Sequence, residues 1–296
     1  MRIVISGGSG FLGRALTDTL RAAGHQVLVL TRRPGREGDL LWSPETGGGA
    51  WAAAVHAADV VINLAGEGIA DRRWSPARKE AILQSRLRAT RALAETLRDA
   101  VRPAIFVSGS AIGIYGDCGE EAVTEARAPG ADFLAHVCVE WEAAANAIAD
   151  RTRVVLLRTG IVLERDGGAL PQMALPFRFF VGGPVGSGRQ YLSWIHRDDW
   201  VGLVTWAIHN STLTGPINLT APHPVRNADF ARALGEALGR PSLLPVPAFA
   251  LRVAVGEMAD VALLGSQRVL PAVATAGGFT FQYPEVREAL RSIYEG

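Results

Sequence analysis

The chain has 296 residues, 48% of them hydrophobic and 20% charged, with a formal net charge of +1. Such a composition supports a large packed core and excludes global disorder, and a near-neutral balance without a lysine-rich run offers nucleic acid no footprint. Two cysteines, Cys118 and Cys138, make neither a disulfide framework nor a metal-ligand spacing.

Arg2 to Ser6 (RIVIS) predicts a short strand that stops at glycines. Phe11 to Ala23 sets Leu12, Ala15, Leu16, Thr19 and Leu20 on one side of a helix, Gly24 ends it, and His25 to Leu30 reads as a second strand. This fills about 30 residues, the size of one βαβ unit. The rhythm recurs: strands at Asp59 to Leu64, Ala104 to Ser108 and Val154 to Arg158 alternate with helices at Ala77 to Ala100 and Phe133 to Ala149. Alternation of this kind predicts an α/β fold, a doubly wound parallel Rossmann sheet covered on both faces. After Gly160 the pattern changes. Asp166 to Gly188, rich in Gly and Pro, reads as loops around a cleft. Asp198 to His209 reads as a helix, Pro216 to Thr220 as a strand, and Asn227 to Leu238 as a helix capped by Asn227. Pro241 to Pro247 reads as a linker, and Phe249 to Tyr294 as mostly helical. The expected organisation is a Rossmann domain over 1–160 to which about 191–220 returns, a smaller discontinuous substrate-side region over 161–240, and a C-terminal helical appendage over 241–296. Met1 and Arg2 lead straight into a strand, without the long apolar core of a secretory signal. No apolar run reaches the roughly 18 residues of a membrane span. A cytoplasmic protein with no membrane partner is expected.

SGGSGFLG, from Ser6 to Gly13, spaces Gly7, Gly10 and Gly13 three residues apart. Between a strand and a helix, the first glycine allows a tight exit, the second lets backbone approach a pyrophosphate, and the third lets helix pack on strand. Ser9, Phe11 and Leu12 complete that contact set. Where an NAD-binding unit places an acid for the ribose hydroxyl, this chain has Thr31, Arg32 and Arg33. An arginine fork suits a ribose 2′-phosphate, so the expected cofactor is NADP(H); the alternative is a pair of solvated loop arginines. Leu64, Ala65, Gly66, Ser108 and Arg158, at the ends of later strands, are the remaining candidate cofactor contacts.

With NLAG (Asn63 to Gly66) and SGSAIGIYG (Ser108 to Gly116), these residues resemble an extended short-chain dehydrogenase/reductase. LRTGIVLERDGGAL, GGPVGSGRQYLSWIHRDDW and GEMADVALLGSQRVLPAV narrow the resemblance to an atypical epimerase-family subgroup, labelled nucleoside-diphosphate-sugar epimerase or "SulA-like", with a C-terminal helical domain. In the wider family, the resemblance implies, a Tyr moves a proton while nicotinamide moves a hydride, a Lys lowers the Tyr pKa, a Ser orients the substrate and an Asn supports the relay. Ser110 matches the Ser. Leu134 falls at the Tyr, Cys138 at the Lys and Arg86 at the Asn. Leucine carries no proton, and a neutral thiol cannot replace an ammonium.

The candidate catalytic residues are therefore Ser110, Arg86, Cys138 and Tyr115: Arg86 for an anion or oxyanion, Cys138 as nucleophile or packing residue, Tyr115 as substitute proton donor. His196 and Asp199 read as a cap and brace. The expected function is an NADP(H)-dependent oxidoreductase with a non-classical site and a small, anionic substrate. The alternatives are a cofactor-binding sensor or scaffold without turnover, and a nucleotide-sugar epimerase. By resemblance, a homodimer would form through the two long helices.

Overall fold

The computed structural model describes residues 1–46, 48–101 and 104–295. In chain order the elements are β1 (Arg2–Ser6), α1 (Phe11–Ala22), β2 (Gln26–Thr31), β3 (Asp39–Leu41), α2 (Ala50–His56), β4 (Val60–Asn63), α3 (Pro76–Arg98), β5 (Ile105–Ala111), β6 (Ala122–Val123), α4 (Phe133–Asn146), β7 (Val154–Thr159), β8 (Ile161–Leu163), α5 (Leu170–Arg178), β9 (Tyr191–Leu192), β10 (Trp194–His196), α6 (Arg197–His209), β11 (Gly215–Leu219), β12 (Val225–Arg226), α7 (Asn227–Leu238), α8 (Ala248–Val255), β13 (Arg268–Val269), α9 (Ala272–Ala276) and α10 (Val286–Glu295).

Seven strands form one sheet in the order β11-β7-β5-β4-β1-β2-β3, every pair parallel. This is the Rossmann-like α/β architecture expected. Side chains alternate between two apolar layers. Ile3, Ile5, Ile62, Val155 and Leu157 face α1 and α6 through Leu16, Leu20, Trp200 and Leu203. Val4, Val61, Phe106 and Leu156 face α2, α3 and α4 through Trp51, Leu93, Leu97 and Ala145. The strand order reverses between β1 and β4, where the carboxyl ends of an open sheet leave a crevice for ligands. No helix among the described residues is long and apolar enough to cross a membrane.

Local signals account for the helix starts. Ser75 caps α3 by accepting from the Arg78 N–H, with Pro76 in the first turn, and Asp132 caps α4 by accepting from Ala135 N–H. The reading of 166–188 as loops misses α5, whose Pro171 and Pro176 disguise it: Pro171 stands in the first turn, where no N–H is needed, and Pro176 lies inside the helix near its end. Asn227 is not a cap. Arg226 precedes α7, and the buried Asn227 Oδ1 accepts from the Val185 N–H at 2.7 Å. The 241–247 stretch is pinned to the preceding loop by Leu244 N–H to Gly182 O and Val246 N–H to Pro184 O.

The C-terminal part contains more than helices. β13 adds in parallel to β6, and α10 buries Val286, Leu290 and Ile293 against Phe230 and Leu234 of α7. Asp199 accepts from the N–H groups of Gln282 and Tyr283 at 2.7 and 2.9 Å, while His196 caps α6 and stacks on Tyr283. These two residues are the brace expected of them.

Candidate functional site

The glycine turn is tight enough to exclude side chains. Gly7 has φ +75°, and a methyl group there would lie 2.7 Å from the Leu64 carbonyl; at Gly13 it would lie 2.1 Å from Gly7 O. The Gly10 N–H closes the turn onto Gly7 O at 3.0 Å. No side chain caps α1 and no acid stands in its first turn. Its leading N–H groups and the positive end of its dipole therefore face the crevice as an anion cradle. Ser9 and Gly10 are exposed, and Phe11 and Leu12 half-buried. The loop at Gly167 and Gly168 covers the Phe11 ring so closely that a methyl group on Gly167 would meet it at 2.3 Å. These features fit a dinucleotide pyrophosphate.

At the end of β2, Thr31 is half-buried, and Arg32 and Arg33 are exposed. Thr31 Oγ1 accepts from the Arg33 N–H at 3.2 Å, and Asp39 accepts from the Gly35 and Arg36 N–H groups at 3.0 Å, which folds the loop back. Arg36 thus joins the two expected arginines, and none of the three is ion-paired among the described residues. The donor set fits a 2′-phosphate.

Across the switch point, Asn63 anchors the next wall. Its Oδ1 accepts from Ser6 Oγ at 2.7 Å and from the Ala65 N–H at 3.2 Å, and its Nδ2 donates to Thr90 Oγ1 at 2.8 Å. Leu64, Ala65 and Gly66 are thereby held beside the glycine turn. Ser108 does not join them. β5 runs three residues further than its apolar stretch predicted, so Ser108 is a fully buried interior residue paired between Asn63 and Leu156.

The sheet register builds a polar row further along. Ser110 on β5 pairs with Arg158 on β7, which pairs with Asn218 on β11. Glu142 of α4 meets this row from one face. Arg158 donates Nε and Nη2 to its two carboxylate oxygens, both at 2.8 Å, and Nη1 to Tyr115 Oη at 3.0 Å and Glu125 O at 3.1 Å. Four of its five donors are thus used inside the protein, so Arg158 is not the cofactor contact expected of it. Burial alone would lower its pKa, but the two Glu142 hydrogen bonds outweigh it and raise it. Tyr115 donates to Asn218 Oδ1 at 2.7 Å and is only 1% exposed, with burial raising its pKa. It sits in this network rather than the crevice and cannot reach a substrate as proton donor. Ser110 donates to Glu142 Oε1 at 2.7 Å. A carboxylate only accepts, so the hydroxyl hydrogen points inward and the oxygen keeps only acceptor capacity for a ligand.

Leu134, Cys138 and Glu142 lie on successive turns of one face of α4. Leu134 packs on Gly113 beyond Ser110. Cys138 is 4% exposed, and burial, followed by the Glu142 charge, pushes its thiol up to about 11. It is a neutral packing residue, not a nucleophile. Both cysteines of the native protein are expected to resist iodoacetamide at pH 8 and to react on unfolding; rapid labelling of Cys138 in the folded state, read by peptide mass spectrometry, contradicts this assignment.

Arg86 lies in the crevice wall beside Gly66, with its guanidinium 5.1 Å from the centre of the Trp141 ring. Nearby, Trp74 donates to Ile69 O and packs edge-on against Phe133, while Arg78 takes up Glu67. Lys79 Nζ reaches across to Glu257 Oε1 at 2.7 Å, and Gly256 lies beside Arg73, so the segment after α8 faces the 67–75 loop and the first turn of α3. Sequence reasoning assigned no role to Asn63, Trp141, Glu142 or Asn218. Asn63 heads the NLAG motif and Glu142 lies four residues from Cys138; the other two left no local signal.

Residues 3–219 match the NAD dependent epimerase/dehydratase family, and residues 246–293 match a domain of unknown function, DUF1731. The chain is 42% identical over 304 residues to an Arabidopsis thaliana protein described as "Epimerase family protein SDR39U1 homolog, chloroplastic", covering 100% of this chain and 87% of that one. The crystal structure of human epimerase family protein SDR39U1 (isoform 2) with NADPH superimposes with a TM-score of 0.92 at 36% identity, covering both chains completely. Thermus thermophilus UDP-glucose 4-epimerase in complex with NAD shares the fold alone, with a TM-score of 0.77 at 18% identity over 100% of this chain and 98% of that one.

Proposed function

Because the chain belongs to the NAD dependent epimerase/dehydratase family, we propose that it is an NADP(H)-dependent oxidoreductase acting on a small molecule, with a proton-handling site unlike the usual Tyr–Lys pair. NADP(H) is the cofactor, as in the NADPH-bound human relative. The observation that carries the reading is the uncapped glycine turn after β1, with Arg32 and Arg33 exposed at the end of the neighbouring parallel strand β2 and without ion partners among the described residues. The Gly7–Gly13 turn would hold the pyrophosphate, Arg32 and Arg33 the 2′-phosphate, and the Asn63-anchored segment the adjoining sugar. When bound, the nicotinamide supplies or takes the hydride.

The chain's own residues do the rest. Glu142 fixes the Ser110 hydroxyl, Arg158 fixes Glu142, and Ser110 Oγ accepts a hydrogen bond from a substrate hydroxyl, which favours the alcohol form for binding. A cytoplasmic location belongs to the same reading, supported by two free, buried cysteines.

Arg32→Ala with Arg33→Ala is expected to weaken NADPH binding by about 10–100-fold and NADH binding by less than about threefold, read by nicotinamide fluorescence. Equal losses for both nucleotides refute the phosphate assignment. Turnover is tested by NADPH oxidation over a panel of carbonyl compounds, with Ser110→Ala as control. The absence of a Tyr at Leu134 and the burial of Tyr115 favour one competing reading, an NADP(H) sensor. Tight NADPH binding without turnover on any compound supports it.

A further inference from the structure

We propose that Arg86 is the binding site for a substrate carboxylate, and that the substrate bound there is a small hydroxy acid. This rests on the crevice being the NADP(H) site.

The guanidinium is fixed before any ligand arrives. Its Nη1 donates to Glu67 O at 3.1 Å and Ile82 O at 3.0 Å, and its face lies on Trp141. It also approaches Gly66, where a methyl group would come within 3.3 Å of Cζ. Nε and Nη2 find no acceptor among the described residues, and neither is sealed from solvent. No carboxylate among the described residues lies within ion-pairing distance of Arg86, and the neighbouring Glu67 is taken by Arg78. A cation held partly out of water without a counter-ion is costly to the free protein, and burial lowers the Arg86 pKa. A bound anion relieves that cost.

The geometry selects the anion. Nε–H and Nη2–H lie along one edge of the guanidinium, the edge by which Arg158 holds Glu142 through two 2.8 Å bonds. The protein thus pairs one such edge with its own carboxylate and leaves a second one open, and a planar carboxylate matches it bidentately. Trp141 carries the Arg86 guanidinium on its ring and packs against Gly109, the residue before Ser110, which brings an oxygen acceptor and a carboxylate clamp to the same part of the crevice. A hydroxy acid supplies both partners: carboxylate to Arg86, hydroxyl to Ser110.

Non-reacting oxamate, which offers a carboxylate and an amide N–H donor in place of the hydroxyl, and neutral oxamide, which keeps the donor but not the charge, are the probes, titrated into the NADPH complex of the full chain and read by nicotinamide fluorescence. The expected result is millimolar oxamate binding, with oxamide at least about tenfold weaker. Arg86→Ala and Arg86→Lys should each lose at least about tenfold for oxamate while holding NADPH within about threefold; lysine keeps the charge and helix propensity but not the fork. If wild-type protein fails to bind NADPH, the underlying cofactor reading fails. If NADPH binds but oxamate and oxamide do not differ, or Arg86→Lys binds oxamate as wild type does, the carboxylate site is overturned alone. A parallel loss of NADPH affinity in both variants makes Arg86 a cofactor contact. Tighter binding of inorganic phosphate than oxamate, lost in the variants, replaces carboxylate by phosphate. Each of these two outcomes overturns the proposal.

Discussion

Gly13→Ala is expected to remove NADPH binding, lowering affinity at least about 100-fold and stability by about 1–3 kcal/mol. The new methyl group would sit 2.1 Å from Gly7 O, 2.6 Å from Gly8 Cα and 2.9 Å from Gly7 C. All three are backbone atoms, so no rotamer change relieves the clash. Either α1 moves away from β1 or the turn opens, and each course spoils the aim of the first-turn N–H groups. Gly24→Ala is the matched control. Gly24 has φ +81° but nothing within 4 Å of an added methyl, so the variant should lose about 1 kcal/mol of stability and no cofactor affinity. Fluorescence titration and thermal melting separate the two; NADPH affinity within threefold of wild type in Gly13→Ala would refute the tight-turn account.

The second large effect is expected at the Glu142–Arg158 pair. Removing either partner strands a buried charge, 7% exposed in both cases, at a cost of about 3–5 kcal/mol. For a chain of this size that lowers Tm by roughly 6–20 °C. Arg158→Ala also leaves Tyr115 Oη without its donor, and Glu142→Ala leaves Ser110 without its acceptor. Glu142→Met with Arg158→Met removes both charges at once and should melt well above either alanine variant. A double-mutant cycle measures the coupling. Strictly additive losses would refute the account of the pair as one unit.

Much of the sheet could be read directly from the chain. A strand buried on both faces is an unbroken apolar run, so RIVIS and VVLLR located β1 and β7 to within a residue. β5 was harder. Its last residues, Gly109 to Ala111, look like a turn, and extending the strand through them turns Ser108 from a rim residue into an interior one. The polar row was out of reach for a different reason. Ser110, Arg158 and Asn218 are far apart in the chain and become neighbours only through inter-strand register, which no local pattern encodes. α5 hid behind its two prolines. The glycine turn and the arginines after β2 were legible because their constraints are local: positive φ, close backbone approach and a fixed distance from strand to helix.

The late residues of the chain complete partners that earlier ones have been waiting for. Leu270 O accepts from Asn218 Nδ2, the Val269 N–H finds Ser193 Oγ, and the Gln282 and Tyr283 N–H groups satisfy Asp199. The nucleotide cradle follows the same habit: the glycine turn comes first in the chain, but its roof at Gly167 and Gly168 and the Thr90 brace on Asn63 come later. A chain cut after β4 would keep the turn and lose both the roof and the brace.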